Sequence, residues 1–189
     1  MSDHSRPNDH CEPADLSCLL AAIVFEPGED VDTILSEIAA EHAALRLSGV
    51  VQTGGNRDGC NVREMALKSL RDGWEIRILE DRGSQSQGCR LNPHAITEVA
   101  GRIEGELEAG ADLLLINRFG RAESEGYGLR PVFERAVLDG VPVLTAVRSD
   151  YLGAWEEFHG GLGTALPRER QAVRDWTIRA CASGSKAPA

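Results

Sequence analysis

The sequence predicts a three-layer α/β domain, with a mostly parallel sheet, helices on both faces and an inserted β-hairpin. Three observations carry this. Short apolar runs alternate with stretches of helical periodicity, the pattern of successive βαβ units. The run Leu113-Leu114-Leu115-Ile116 is continuously apolar, as a strand buried on both faces must be. Asp72-Gly73, flanked by alternating apolar residues, marks a two-residue hairpin turn that interrupts the βαβ plan.

Taken in order, Leu19 to Phe25 reads as a first buried strand, and Glu26-Pro27-Gly28-Glu29-Asp30 as a turn. Ile34, Leu35, Ile38 and Leu45 recur at helical spacing, so a helix is expected from about Val31 to Leu45, with Asp30 or Asp32 as its cap. Gly49 to Gln52 is a second strand, followed by a glycine-rich loop from Thr53 to Cys60. Met65 and Leu67 mark one hairpin strand; Trp74, Ile76 and Ile78 mark the other. Ser84 to Arg90 is a polar loop. Asn92-Pro93 then opens a helix, Asn as N-cap and Pro at the first helical position, with Ile96, Val99, Ala100, Ile103 and Leu107 as its buried stripe. The strand Asp112 to Asn117 follows, then a glycine-spaced loop. A helix from Leu129 or Pro131 to Leu138 buries Val132, Phe133, Ala136 and Val137. Val141 to Val147 is another strand, Tyr151 to Phe158 a short helix, Gly160 to Gly163 a flexible connection, and Pro167 to Cys181 the last helix. Trp155, Phe158 and Trp176 lie at helical spacing and read as packing residues.

A chain of 189 residues fits one domain, expected here over 17–182 between disordered tails at 1–16 and 183–189. A net charge of −10 argues against nucleic acid or an anionic membrane surface as partner. No apolar run is long enough to span a bilayer, and the polar N-terminus has no signal-peptide core. Cys11, Cys18, Cys60, Cys89 and Cys181 are scattered, with no C-x-x-C pair, as expected for free thiols in the cytoplasm. His4 and His10 fall in the tail, His42 inside a helix and His159 at a helix end; no metal site is expected.

Three segments are candidate sites. In a P-loop the first strand feeds G-x-x-x-x-G-K-[ST]. Here the corresponding stretch carries Glu26, Glu29, Asp30 and Asp32 and no lysine, so bound phosphates would face like charges; an acidic helix cap is the plainer reading. Ser84 to Arg90 brings hydroxyls, amides and an arginine to the start of the Asn92-Pro93 helix, where an oxyanion could be held. Asn117 ends a central strand, where side chains look into the ligand crevice of a parallel sheet. Beyond it Glu123 and Glu125 are possible general bases, and Arg118, Arg121 and Arg130 possible anion clamps.

The residues Cys89-Arg90-Leu91-Asn92-Pro93, Leu115-Ile116-Asn117-Arg118-Phe119-Gly120 with Glu123, Gly126, Gly128 and Leu129, then Val141 to Val147, and Trp155 with Phe158-His159-Gly160-Gly161 resemble the bacterial family called domain of unknown function 2478. The resemblance spans about Leu19 to Leu166. That family is found among genes for molybdate uptake and molybdenum enzymes. The plan is also distantly similar to small P-loop nucleoside triphosphatases with a degenerate P-loop. In those the equivalent strand ends in paired acids, where this chain has Asn117 and Arg118. Each change removes a part of phosphoryl-transfer chemistry.

The resemblance implies a cytoplasmic, non-hydrolytic binding or accessory protein of molybdenum metabolism, taking molybdate, tungstate or a related small anion. Gln52, Ser84, Ser86, Cys89 and Arg90 would line one side of its crevice. Asn117, Arg118, Glu123 and Arg130 would line the other, with Glu123 orienting an arginine. Two alternatives stand beside it. One is a divergent nucleoside triphosphatase or nucleotide transferase with Glu123 as base, which the missing lysine and acid disfavour. The other is a regulatory or assembly protein acting by contact, as a homo-oligomer or with a molybdenum-pathway partner.

Overall fold

The structure, a computed structural model, describes residues 19–54, 65–79 and 91–184. Its elements are β1 (Leu20–Phe25), α1 (Asp32–Glu41), β2 (Leu47–Thr53), β3 (Ala66–Ser69), β4 (Glu75–Arg77), α2 (Pro93–Glu108), β5 (Leu113–Phe119), α3 (Arg121–Ser124), α4 (Arg130–Leu138), β6 (Val143–Arg148), α5 (Leu152–His159), β7 (Gly163–Leu166) and α6 (Arg170–Gly184). A 3-10 turn at Ser149–Tyr151 leads into α5.

The strands form one sheet in the order β4-β3-β2-β5-β6-β1-β7. The pairs β2–β5, β5–β6, β6–β1 and β1–β7 are parallel, while β2–β3 and β3–β4 are antiparallel. This is the expected parallel sheet extended by a hairpin, compatible with a P-loop-type three-layer plan. The chain leaves β1 toward β2 on one side, and β7 later closes on the other. The strand order therefore reverses at β1, and the crevice lies outside the carboxyl ends of β1, β5 and β6.

Side chains alternate across the sheet and feed two cores. One is packed under α2, α4 and α5, with Leu114, Ile116, Phe119, Val132, Phe133, Val147 and Trp155. The other lies under α1 and α6, with Ile23, Leu35, Ile38, Leu113, Leu115, Ala146, Val173 and Trp176. Each large side chain buried this way stabilises the fold by about 1.5–3 kcal/mol. Phe119 meets Trp155 edge-on at 5.3 Å and Phe133 at 6.0 Å, the geometry that ring quadrupoles favour. Asn92 caps α2 as expected, accepting from the His94 and Ala95 N–H groups at 3.0 and 3.3 Å.

Several boundaries differ from the sequence reading. Val31, not an aspartate, is the N-cap of α1; Asp30 caps from one residue further out, accepting from the Thr33 N–H at 3.1 Å. β5 runs two residues past Asn117. The hairpin connection covers Leu70 to Trp74 rather than Asp72-Gly73 alone, because the Ser69 hydroxyl accepts from the Arg71 and Asp72 N–H groups and widens the turn. Gly160 to Gly163 is not a loose connection. His159 Nδ1 accepts from the Gly161 and Gly163 N–H groups at 3.1 and 3.0 Å, and Gly163 begins β7, a strand absent from the sequence reading. Cys181 is a free, half-buried thiol, pushed by burial up to about 11, which leaves it unreactive at neutral pH.

A buried carboxylate, also absent from the sequence reading, joins the hairpin to the sheet. Glu106 of α2 accepts from the Ser48 hydroxyl at 2.8 Å, the Gly49 N–H at 3.0 Å and the Ser69 hydroxyl at 2.9 Å. Gly49 has φ +102°, and a Cβ there would stand 2.1 Å from the Leu115 carbonyl oxygen. Gly49→Ala is expected to lower the unfolding free energy by about 3 kcal/mol or more, combining left-handed strain with a backbone clash. A urea midpoint equal to wild type would contradict this.

His159 makes stability depend on pH. Burial holds its pKa below the ordinary 6.5, against the nearby Glu156 carboxylate, which favours the protonated ring. The unfolded chain therefore binds the proton more readily. The His159 contribution is complete above about pH 6.5 and is lost as pH falls through the lower folded value. The urea midpoint should drop more between pH 7.5 and 5.5 in wild type than in His159→Ala; equal drops would remove His159 from the account.

Candidate functional site

Three strand ends converge on the turn between β1 and α1. This is the turn that a P-loop would occupy, and its acids are all engaged by the chain itself. Asp32 accepts from Arg118 at the end of β5, with distances of 3.0 and 3.2 Å to its two oxygens. Glu26 accepts from the Ser149 hydroxyl, just after β6, at 2.6 Å. Glu29 pairs with Arg168, just after β7, at 2.9 Å. The Glu26 N–H, and then Arg168, hold the Glu29 carboxyl below its ordinary value. The turn thus acts as an acidic strap across the carboxyl ends of β5, β6 and β7.

A β-bulge sets the geometry of the β5 end. Ile116 is in register with Thr145, and Phe119 with Val147, so Asn117 and Arg118 together oppose Ala146 alone. Ile116 and Phe119 both enter the α2–α4–α5 core. The extra residue lets Arg118, as well as Asn117, turn to the α1 side, where strict alternation would have sent Arg118 away. The Arg118 guanidinium lies 5.6 Å from the centroid of the Phe25 ring. Its side chain is 39% exposed, so the cation is reachable from solvent while its plane is held from below.

Asn117 is buried, at 3% exposure. With its amide oriented to satisfy its neighbours, the nitrogen donates to Asp32 Oδ1 at 3.0 Å and the oxygen accepts from Arg118 Nε at 3.2 Å. Gln52 Oε1 lies 3.3 Å from the same amide group. Gln52, Asn117 and Arg118, three of the residues expected at the site, are therefore in one polar cluster, and Asp32 joins them. Asp32 was expected only as a helix cap. Its partner is 86 positions away, so no local pattern announces the pair.

Two other expected residues lie elsewhere. Glu123 is 7% exposed, and its oxygens accept from the Gly120 N–H at 3.0 Å and the Leu129 N–H at 2.9 Å. It clamps the loop from Gly120 to Leu129 rather than orienting an arginine, each oxygen already accepting a backbone N–H. Gly128, at φ +70°, is required beside it, since a Cβ would come within 2.3 Å of Glu123 Oε1. Arg130 pairs with Glu134 at 3.0 Å and lies 4.8 Å from the Phe158 ring centroid, on the α5 side of the sheet, away from Arg118. Arg121 is bound to Glu125 at 2.7 Å, and Glu125 also accepts from the Tyr127 hydroxyl. Ser84, Ser86, Cys89 and Arg90 lie outside the described residues, as does Cys60.

One further arginine, not singled out from sequence, sits at the crevice. Arg148 ends β6 in register with Phe25, pairs with Asp150 at 2.7 Å and stacks 5.2 Å from the Tyr151 centroid. Its Nε is buried and has no hydrogen-bond partner among the described residues. The signal was available as a charged residue ending a buried run, the same signal that pointed to Asn117.

No described helix is long and apolar enough to cross a membrane. Comparison with known proteins adds two findings. The chain is 36% identical over 160 residues to the molybdenum import ATP-binding protein ModC 2 of Bradyrhizobium diazoefficiens; the match covers 83% of this chain and 18% of that protein. This chain thus corresponds to less than a fifth of that relative's length. No solved structure matches. Residues 20–176 match the family model described as "Protein of unknown function (DUF2478)", and the chain belongs to that family.

Proposed function

We propose that this chain is a non-hydrolytic binding or accessory module of molybdenum metabolism, acting in the cytoplasm, and that its crevice takes an oxyanion such as molybdate or tungstate on Arg118. The observation that carries the reading is the bulge in β5, which aims a half-exposed guanidinium and a buried amide at one point beneath the β1–α1 turn. A guanidinium backed by neutral amides is a fitting receptor for a tetrahedral dianion, since it supplies charge and directed N–H donors together. Gln52 and Asn117 are the neutral partners, with Arg148 at the neighbouring strand end. Ser84, Ser86, Cys89 and Arg90 are proposed to face them. Glu123 and Arg130 are left out, because their contacts hold loops and helices.

The acidic strap argues against a nucleoside triphosphatase. The chain's lysines are Lys68 and Lys186, neither of them in the β1–α1 turn, and the place of a metal-ordering acid is taken by Asn117. The relative's name supports the molybdenum setting. Because the matching segment is a small part of a long ATP-binding protein, it also supports a second reading, in which the domain works by contact with an importer's ATP-binding subunit.

Thermal unfolding with molybdate, tungstate, sulfate and ATP, each with and without Mg²⁺, tests these readings. An anion at one hundred times its dissociation constant should add about 2.7 kcal/mol of stability. Arg118→Ala should abolish the response to molybdate. Stabilisation by ATP with Mg²⁺ together with phosphate release would overturn the non-hydrolytic reading, and silence toward every anion would favour the contact reading. Glu123→Gln should behave oppositely to Arg118→Ala. It should unfold more easily, by about 1–3 kcal/mol, because an amide replaces one of two carboxylate acceptors, yet keep the anion response.

A further inference from the structure

We infer that Asp32 is an internal competing ligand of the Arg118 site: its carboxylate occupies the position on the guanidinium that an incoming anion must take. The inference rests on the oxyanion reading and adds what the anion must displace. Asp32 already does what a bound anion would do. Both its oxygens lie within 3.2 Å of an Arg118 terminal nitrogen, and one accepts from the Asn117 amide at 3.0 Å. The site is therefore filled by an internal ligand.

The contact is built to open. The Asp32 side chain is 39% exposed, so on release it meets water instead of being stranded in the core. It stays in the first turn of α1, a ten-residue helix whose positive end favours a carboxylate in either position. Arg118 keeps its place when Asp32 leaves, because the Phe25 ring lies beneath it.

Displacement sets the apparent affinity. A covalently held carboxylate competes at a high effective concentration. Closure by Asp32 lowers the apparent affinity for any anion by the fraction of time that the site is open. For a half-exposed ion pair this amounts to about two- to sixfold.

The test compares wild type, Asp32→Asn, Asp32→Ala, Glu29→Gln and Arg118→Ala in calorimetric titrations with molybdate and with nitrate, folding being checked by circular dichroism. Wild type should bind molybdate. Both Asp32 variants should bind molybdate about two- to sixfold more tightly, and should tighten nitrate binding by a similar factor. Glu29→Gln removes an equal charge from the same turn but not from Arg118, and should change affinity less than twofold. Arg118→Ala should bind neither anion. Unchanged or weaker molybdate binding in the Asp32 variants, or an equal gain in Glu29→Gln, would overturn the inference and leave the oxyanion reading standing. If no variant and no wild type responds to either anion, both fall.

Discussion

The contact between Asp32 and Arg118 connects the start of α1 to the end of β5, and the arrangement of the crevice follows from it. It requires the bulge at Asn117–Arg118, because a regular strand would send Arg118 into the α2–α4–α5 core. It requires an acidic turn after β1, because the half-buried guanidinium is answered by a carboxylate. Glu26 and Glu29 extend the same logic to Ser149 and Arg168. A turn that would face phosphates in a nucleotide-binding protein here faces the protein's own cations and hydroxyls.

The opposite side of the sheet is organised by a different demand, the accommodation of a buried charge. Glu106 sits in α2 among apolar neighbours, and such a carboxylate is tolerated only when donors surround it. Two serine hydroxyls and the Gly49 N–H provide them, drawing β2 and β3 against α2. Gly49 has no room for a Cβ because β5 lies directly against it. The hairpin is thus attached by polar contacts as well as by strand pairing, and the crevice-bearing strands stay in fixed register beside it.

Glu123 and Arg130 show how composition can mislead. Both lie in a polar loop next to a crevice and carry the right chemistry for binding or catalysis. Glu123 instead satisfies two backbone N–H groups in a tight loop, and Arg130 covers an aromatic ring on the far face. Their roles depend on which way each side chain turns, and a loop sequence does not encode that. Asp32 errs in the other direction. It reads as a helix cap, since acids are common there, and its partner is remote in the chain.

The amino-acid sequence by itself determined the layered α/β plan, the inserted hairpin, the Asn92 cap and the placing of Asn117 near the carboxyl end of a central strand. All of these are local: apolar periodicity, turn residues and the polarity change at the end of a buried run. β7 escaped because a four-residue strand led by glycine has almost no local signal and exists only through its pairing with β1. The bulge, the pairing of Asp32 with Arg118 and the burial of Glu106 were decided only by tertiary structure. Each depends on the distance between groups far apart in the chain, and hydrogen bonds and ion pairs form only where folding brings such groups within about 3 Å.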